Sequence, residues 1–152
     1  ISEMLKISYT EAKQLVDLYK TEVASGLVKI NDDLNKRYRL RTPFSTIGGR
    51  LVKGEPPKMI NGKLMEFGFK SLNTLIQGSG ADMAKQAMID YYRIAENSRL
   101  LLSLHDEVII TVREDVVDRE AKKLEHCMVN AFKLDVPLIA EAKVGNNFSE
   151  VK

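Results

Sequence analysis

The sequence has little cysteine, no long hydrophobic run and no large excess of charge of either sign. Its single cysteine, Cys127, excludes an internal disulfide and is typical of a protein kept in a reducing, intracellular setting such as the cytoplasm or nucleoid. No apolar run approaches the about 20 residues that a membrane-spanning helix needs, so we expect no membrane partner. Internal repeats and low-complexity tracts are also missing. What remains is a chain of 152 residues, 44% of them hydrophobic, which is long enough to form a substantial core.

The net charge of +2 is too small to indicate nucleic-acid binding by itself. The charges are unevenly distributed, however, because the segment 36–58 is strongly basic and contains one acid, Glu55. Its basic residues are Lys36, Arg37, Arg39, Arg41, Arg50, Lys53 and Lys58. We therefore expect one face of the molecule to seek phosphate groups.

Two apolar runs between residues 100 and 112 flank the triplet His105-Asp106-Glu107. This pattern predicts two adjacent strands with charged side chains at a tight bend. The bend has no Gly, Pro or Asn, which are the residues that an ordinary tight hairpin favours. Two carboxylates at one end of a sheet repel each other, and a divalent cation such as Mg²⁺ relieves the repulsion. The triplet therefore predicts half of a metal site, with a solvated turn as the alternative interpretation.

Apolar residues at a period of about 3.6 predict helices at 8–23, 27–37, 64–97 and 115–132. At the start of the first, Ser8 and Glu11 fit a capping box. The segments 38–44 and 47–52 predict two short strands or an extended loop. Residues 137–144 alternate between apolar and charged side chains toward their end, which predicts a half-exposed last strand.

The longest predicted helix, 64–97, has two unusual features. Asn73 and Gln77 lie four residues apart and would share one face, where two carboxamides suit the reading of base edges in a minor groove. The alternative is that they cap neighbouring loops. Gly78 and Gly80 are expected to interrupt the helix, either by bending it or by letting a bulky partner lie against bare backbone.

Taken in order, these segments resemble the C-terminal part of family A, DNA polymerase I-type, DNA polymerases. The matching segments are Ile7–Ala12 with Leu18-Tyr19, Gly49-Arg50, Asn73–Gly78 with Ala81-Asp82, Leu104–Val108, and Leu134–Leu138 with Gly145–Phe148. Leu104–Val108 looks like motif C of that family. The resemblance covers essentially the whole chain, and it is the order and spacing of the segments together that make it specific.

The resemblance implies an α+β fold, in which part of a polymerase palm carries motif C on an antiparallel β-hairpin packed against long helices. Residues 1–60 would form the fingers-to-palm connecting helices and a basic hairpin, and residues 61–152 the C-terminal palm. The resemblance also implies that Asp106 ligates the catalytic metal, with Glu107 as a weaker or indirect contributor. The implied cofactor is a pair of Mg²⁺ ions, or Mn²⁺ in their place.

Several other positions match family residues that contact DNA. His105 matches a histidine placed near the terminal nucleotide of the primer. Asn73 and Gln77 match side chains that touch the minor groove of the primer-template close to the insertion site. The resemblance therefore implies that primer-template DNA and a deoxynucleoside triphosphate are partners.

Two basic residues have looser matches. Arg50 lies where the family has an arginine near the nucleic acid. Many members have a further DNA-contacting arginine at the position of Phe69, and the adjacent Lys70 is the candidate substitute in this chain. Both Arg50 and Lys70 are therefore expected to bind DNA.

Two parts of the family's active site are missing from these residues: the motif A aspartate and the fingers helix that holds the incoming nucleotide. Because two-metal phosphoryl transfer needs carboxylates on both sides of ions ~3.5–4 Å apart, the isolated chain is expected to be inactive. We expect an obligate partner, a larger polypeptide that carries motif A, the fingers helix and the thumb. The start at Ile1 adds the expectation that the chain is the smaller piece of a split or cleaved polymerase.

The reaction expected of the assembled enzyme is template-directed transfer of a nucleotidyl group to a primer 3′-hydroxyl. Two rival classes stay open. A non-catalytic nucleic-acid-binding palm module would keep its activity when Asp106 is replaced by alanine. A metal-dependent nuclease, or part of a related single-subunit RNA polymerase, would differ in its reaction or its choice of sugar, and the sugar-discriminating residues are not in this chain. A viral or organellar source also stays open.

Overall fold

The computed structural model of the protein describes residues 1–151. Position 152, the end of the predicted palm segment, lies outside the described residues. The chain forms two compact units, of which the first comprises 1–45 and 51–75 and the second comprises 46–50 and the chain from 76 onward. In the described part of the chain, no helix has both the length and the apolar character needed to cross a membrane.

Helices and short antiparallel hairpins alternate along the chain, which agrees with the predicted α+β class. The α-helices are α1 (Ser2–Leu5), α2 (Tyr9–Leu18), α3 (Ser25–Arg39), α4 (Ser71–Ile94) and α5 (Val117–Asn130). A π-helical turn follows α2 at Tyr19–Val23, and 3₁₀ turns precede α4 and α5 at Gly68–Lys70 and Glu114–Val116. The strands are β1 (Phe44–Ser45), β2 (Leu51–Val52), β3 (Lys58–Ile60), β4 (Lys63–Met65), β5 (Ser98–Leu104) and β6 (Glu107–Val112). They pair as three separate two-stranded sheets, β1 with β2, β3 with β4 and β5 with β6.

The predicted capping box opens α2. The Glu11 backbone N–H donates to the Ser8 hydroxyl at 3.2 Å, and the Ser8 backbone N–H donates to the Glu11 carboxylate at 2.9 Å. These two bonds satisfy backbone donors that the first helical turn leaves without partners. The Ser8 hydroxyl also donates to the Glu11 carboxylate at 2.8 Å, and this bond, followed by the bond from the Ser8 backbone N–H, lowers the pKa of Glu11.

A small aromatic core holds the first unit together. Leu34 and Tyr38 of α3 pack with Phe44 and Phe67, and the Tyr38 hydroxyl donates to the Glu55 carboxylate at 3.4 Å. The prediction of a strand beginning at Tyr38 was therefore wrong, because burial of that ring extends α3 by two residues beyond the predicted helix end. The predicted pairing of two short strands was right, although β1 and β2 contain only two residues each.

The long helix begins later than predicted. Asn61 and Gly62 form a two-residue turn with φ of 50° and 74°, as their sequence indicates, and this turn folds the chain back so that Leu64 lies in β4. The helix starts only at Ser71, whose fully buried hydroxyl donates to the Gly68 carbonyl at 2.7 Å. The apolar periodicity from residue 64 was thus a property of a hairpin and a 3₁₀ turn.

The glycines inside α4 do not interrupt it, since the helix is continuous over 24 residues. The other expectation, close approach of a partner to bare backbone, is confirmed at Gly78. A Cβ atom there would lie 2.8 Å from the Thr46 methyl group. The close packing of the 46–50 loop against Gly78 offsets the about 1 kcal/mol that this glycine costs in a helix interior, whereas Gly80 has no such contact.

The second unit is built on the β5–β6 hairpin, which both long helices cover as predicted. Tyr91 of α4 and Leu124 of α5 are buried in one cluster with Cys127, against Leu100, Val108 and Ile110 of the sheet. A register shift between Leu100 and Leu102 places a bulge in β5. Cys127 is buried in this cluster, and His126, its neighbour on α5, is exposed.

Two expectations for this unit were wrong. Residues 137–144 form no strand, and the Ala142 backbone N–H donates to the Glu125 carboxylate at 2.7 Å instead of to a neighbouring strand. The apolar period of α5 predicts that its charged side chains lie on the outer face, but Glu120 is fully buried. Its carboxylate accepts hydrogen bonds from Tyr91, Ser98 and Lys123, which makes burial of the charge tolerable.

Candidate functional site

The triplet His105-Asp106-Glu107 lies at the free end of the β5–β6 hairpin. Leu104 and Glu107 pair across the strands, so His105 and Asp106 form the two-residue turn between them. All three side chains of the triplet are exposed. Within the described residues, neither the Asp106 nor the Glu107 carboxylate forms an ion pair, so both are available to a ligand.

Adjacent exposed carboxylates are suitable ligands for a hard divalent cation. In the described part of the chain, no group of three or more His, Cys, Asp and Glu side chains could hold a metal ion. Mg²⁺ prefers about six oxygen ligands in octahedral geometry, and Asp106 with Glu107 can supply only some of them. Asp106 and Glu107 could therefore hold a metal ion only together with ligands from outside the described residues.

The turn also stores backbone strain at His105, whose φ is 55°. This left-handed conformation costs an L-residue about 1–2 kcal/mol, and glycine avoids the cost. Backbone strain at a position where glycine would fit is a reason to assign a function to the His105 side chain.

We expect His105→Gly to be more stable toward urea than His105→Ala by about 1 kcal/mol, because both variants remove the imidazole and only glycine relieves the positive φ. Circular dichroism during urea unfolding of the 152-residue chain measures the difference. If the imidazole has the DNA role proposed below, the two variants should lose primer-extension activity equally. An alanine variant as stable as the glycine variant would show that the turn is unstrained.

Asn73 and Gln77 are both exposed on α4. Neither carboxamide forms a hydrogen bond with another residue in the described part of the chain, so the alternative that they cap neighbouring loops finds no support. Their spacing on a continuous helix places them on one face of α4. They remain available to a ligand that offers both donors and acceptors.

Arg50 contacts α4 directly. Its Nη2 donates to the Gly78 carbonyl at 2.8 Å and lies 2.9 Å from Oδ1 of Asp82. Asp82 also accepts a hydrogen bond from the Thr46 hydroxyl, which contributes most to lowering the pKa of Asp82. The sequence pattern contains Asp82 but gave no reason to connect it with residues 46–50, because the contact joins segments more than 30 residues apart.

Lys70 is engaged within the first unit. Its Nζ lies 3.1 Å from Oε1 of Glu55 and 4.6 Å from the centre of the Phe67 ring. The hydrogen bond from Lys70 is the main reason that the pKa of Glu55 is lowered. The side chain is nevertheless 43% exposed, so its assignment to DNA binding stays a prediction.

Comparisons with known proteins agree on one family. The model of the family described as DNA polymerase family A matches residues 1–150. DNA polymerase I of Streptococcus pneumoniae serotype 4 is 30% identical over 159 aligned residues, which cover 100% of this chain and 18% of that protein. DNA polymerase I of Pseudomonas aeruginosa is 38% identical over 84 residues, which cover 53% of this chain and 9% of that protein. The chain thus spans less than a fifth of the length of either relative.

A solved structure gives the same result in three dimensions. It is the POL domain of Pol1 from M. smegmatis in complex with DNA primer-template and dNTP, and it superimposes with a TM-score of 0.72 at 30% identity. The match covers 90% of this chain and 25% of that chain. The family model matches almost the whole chain, and the relatives are similar in sequence and in fold. The chain therefore belongs to DNA polymerase family A.

Proposed function

We propose that this chain is the part of a DNA-directed DNA polymerase that carries motif C. In the assembled enzyme, a nucleotidyl group passes from a deoxynucleoside triphosphate to the 3′-hydroxyl of a primer, and pyrophosphate leaves. The observation that carries the proposal is the exposed pair Asp106 and Glu107 at the end of a β-hairpin in a member of this family. The M. smegmatis relative, solved with primer-template and dNTP, supports the same substrates for this chain.

The carboxylate of Asp106 would hold the metal ions, and Glu107 would contribute a weaker or indirect contact. Two divalent ions, Mg²⁺ or Mn²⁺, supply activation of the 3′-oxygen and neutralisation of the charge on the leaving phosphates. His105 precedes Asp106 in the same turn and would contact the terminal nucleotide of the primer.

Asn73 and Gln77 would contact the minor groove of the primer-template. Every correct base pair presents purine N3 and pyrimidine O2 acceptors there, and a carboxamide N–H₂ can donate to either. Contacts of this kind report base-pair shape without reading sequence, which suits an enzyme that copies any template. Arg50 and Lys70 would contact the nucleic-acid backbone.

This chain needs a partner segment to react. Because each ion of a two-metal site is bridged by carboxylates from more than one direction, Asp106 and Glu107 alone cannot assemble the site. The proposal therefore includes a larger polypeptide that supplies motif A, the nucleotide-binding fingers helix and the thumb.

Primer extension with the chain alone, with the larger polypeptide alone and with both together tests the proposal. We expect template-dependent dNTP incorporation only with both, and co-elution of the two on size-exclusion chromatography. Extension of a primer by the chain as a monomer would contradict the requirement for a partner. Preferential incorporation of ribonucleotides by the mixture would contradict the assignment as a DNA polymerase.

A further inference from the structure

The loop 46–50 belongs to the second unit and is bonded to α4 at several points. The loop contacts three residues of the helix, Gly78, Ser79 and Asp82, and Asp82 takes part in three of the five hydrogen bonds. They are Thr46 Oγ1 to Asp82, the Ile47 N–H to Ser79 Oγ at 3.1 Å, the Gly48 N–H to Asp82 Oδ2 at 3.2 Å, and Arg50 Nη2 to the Gly78 carbonyl at 2.8 Å and to Asp82 Oδ1 at 2.9 Å. The loop is therefore fixed on the helix.

Asp82 is held firmly by these contacts. Its side chain is 12% exposed, and its three donors come from the Thr46 hydroxyl, the Gly48 backbone and the Arg50 guanidinium. The loop packs so closely on Asp82 that position 48 has no room for a side chain, since a Cβ atom at Gly48 would lie 2.9 Å from Asp82. The carboxylate is thus a rigid acceptor for Arg50.

Arg50 uses both N–H groups of Nη2 for these contacts and leaves those of Nε and Nη1 available. Both of its hydrogen bonds come from Nη2, while Nε and Nη1 bond no residue in the described part of the chain. The side chain is 49% exposed. Because the guanidinium is planar and its donors form a fixed fork, holding one nitrogen also fixes the direction of the remaining N–H groups.

We propose that Asp82 is a positioning residue for DNA binding, which holds Arg50 on α4 so that a remaining N–H group of the guanidinium binds a phosphate of the primer-template. The inference rests on the proposed function, because it assumes that DNA is the ligand. A charge-assisted hydrogen bond from a guanidinium N–H group to a phosphate oxygen is strong, and an arginine held in advance loses less side-chain freedom on binding than a mobile one.

The direction in which Asp82→Asn changes DNA affinity separates a positioning role of Asp82 from a purely electrostatic one. DNA is a polyanion, so the loss of an acidic side chain near a phosphate strengthens binding when the acid contributes only its charge. If Asp82 positions Arg50, Asp82→Asn weakens binding although it removes a negative charge. A merely structural role in the loop predicts no dependence of this effect on Arg50.

Fluorescence anisotropy of labelled primer-template with the assembled polymerase over a series of salt concentrations measures both affinity and phosphate contacts. We expect Arg50→Gln to weaken binding about tenfold and to reduce the slope of log K against log salt by about 1. Asp82→Asn should weaken binding severalfold in the wild-type background and not at all in the Arg50→Gln background. The control is Asp118→Asn, which removes the same charge from an exposed position on α5 and should leave binding unchanged or slightly tighter.

Arg50→Lys provides a second variant that keeps the charge and perturbs the loop least. Since an ammonium group cannot span Gly78, Asp82 and a phosphate with a planar fork, this variant should bind more weakly than wild type. Binding as tight as wild type by Arg50→Lys or by Asp82→Asn would overturn the proposal. An equal loss from Asp82→Asn with and without Arg50 would also overturn it. Failure of the wild-type polymerase to bind primer-template would overturn the proposed function as well.

Discussion

Asp106→Asn is expected to lower primer extension by the assembled polymerase about 10³–10⁴-fold. The amide has the shape of the carboxylate but not its charge, so it holds divalent ions poorly. Loss of the metal contribution amounts to several kcal/mol of transition-state stabilisation, at about 1.4 kcal/mol for each factor of ten. Because Asp106 is exposed and forms no ion pair with a described residue, the substitution should leave folding and primer-template affinity nearly unchanged. Single-turnover extension on a saturating primer-template measures the effect.

Asp118→Asn is the matched control for the loss of charge. Asp118 is exposed on α5, and its replacement should leave the extension rate within a factor of two of wild type, as surface substitutions have small effects. Glu107→Gln should lower the rate by a smaller factor than Asp106→Asn. If Asp106→Asn keeps more than a tenth of the wild-type rate, the hairpin does not hold the catalytic metal and the chain acts as a binding module.

Glu120→Ala should reduce the free energy of unfolding by about 2–4 kcal/mol, as expected when a buried charged acceptor of several hydrogen bonds is removed and a cavity is left. The fully buried carboxylate accepts hydrogen bonds from Tyr91 and Ser98, both at 2.9 Å, and from Lys123 at 2.8 Å. Alanine would remove the acceptor that the three donors share and open a small cavity between α4, α5 and the start of β5, although Tyr91 and Ser98 keep their mutual hydrogen bond and Lys123 keeps the Ile94 carbonyl. The effect should therefore exceed that of most surface substitutions severalfold.

The same network makes stability depend on pH in a defined direction. Burial alone would raise the pKa of Glu120, but hydrogen bonds from Lys123, Ser98 and Tyr91 outweigh it and lower the pKa from 4.5 to about 2. The carboxylate thus stabilises the fold fully above pH 4.5, and this contribution is lost as the pH falls toward 2. Burial raises the pKa of Tyr91 from 10.0 to about 12, so its contribution is complete below pH 10 and is lost as the pH rises toward 12.

Urea unfolding of the 152-residue chain, followed by circular dichroism at several pH values, tests the size of the Glu120 contribution and its loss at low pH. The difference between wild type and Glu120→Ala should be constant from pH 6 to 9 and should shrink below pH 4.5. Asp118→Asn on the same helix serves as the control and should change stability by less than about 0.5 kcal/mol. A Glu120→Ala variant within 1 kcal/mol of wild type at pH 7 would show that the network contributes little.

Local patterns predicted the elements that depend on local interactions. The Ser8 capping box and the hairpin around Asp106 are encoded within a few neighbouring residues, and the structure has both. Features that depend on distant partners were missed. The close packing at Gly78 of α4 depends on the loop around Thr46, and the burial of Glu120 depends on hydroxyl donors from two other elements. Neither dependence can be read from helix propensity or from periodicity.

In the candidate site, too, some residues were identified from the sequence, whereas one contact was seen only in the structure. Family resemblance identified Asp106 and Glu107, and the structure adds that both carboxylates are exposed. The contact between Arg50 and Asp82 had no signal in the sequence, because a salt bridge between separate segments leaves no periodic pattern. The family resemblance pointed to Arg50 and included Asp82 in a matching segment, but it gave no sign that the two side chains pair.

The claim that the acidic end of the β5–β6 hairpin is one half of a two-metal site is tested most directly by counting bound ions. Mn²⁺ titration followed by electron paramagnetic resonance would be carried out on the assembled polymerase with primer-template and dNTP, for wild type and Asp106→Asn. Two tightly bound Mn²⁺ ions are expected in the wild-type complex and at most one, accompanying the dNTP, in the variant. Two tightly bound ions in the Asp106→Asn complex would contradict the claim.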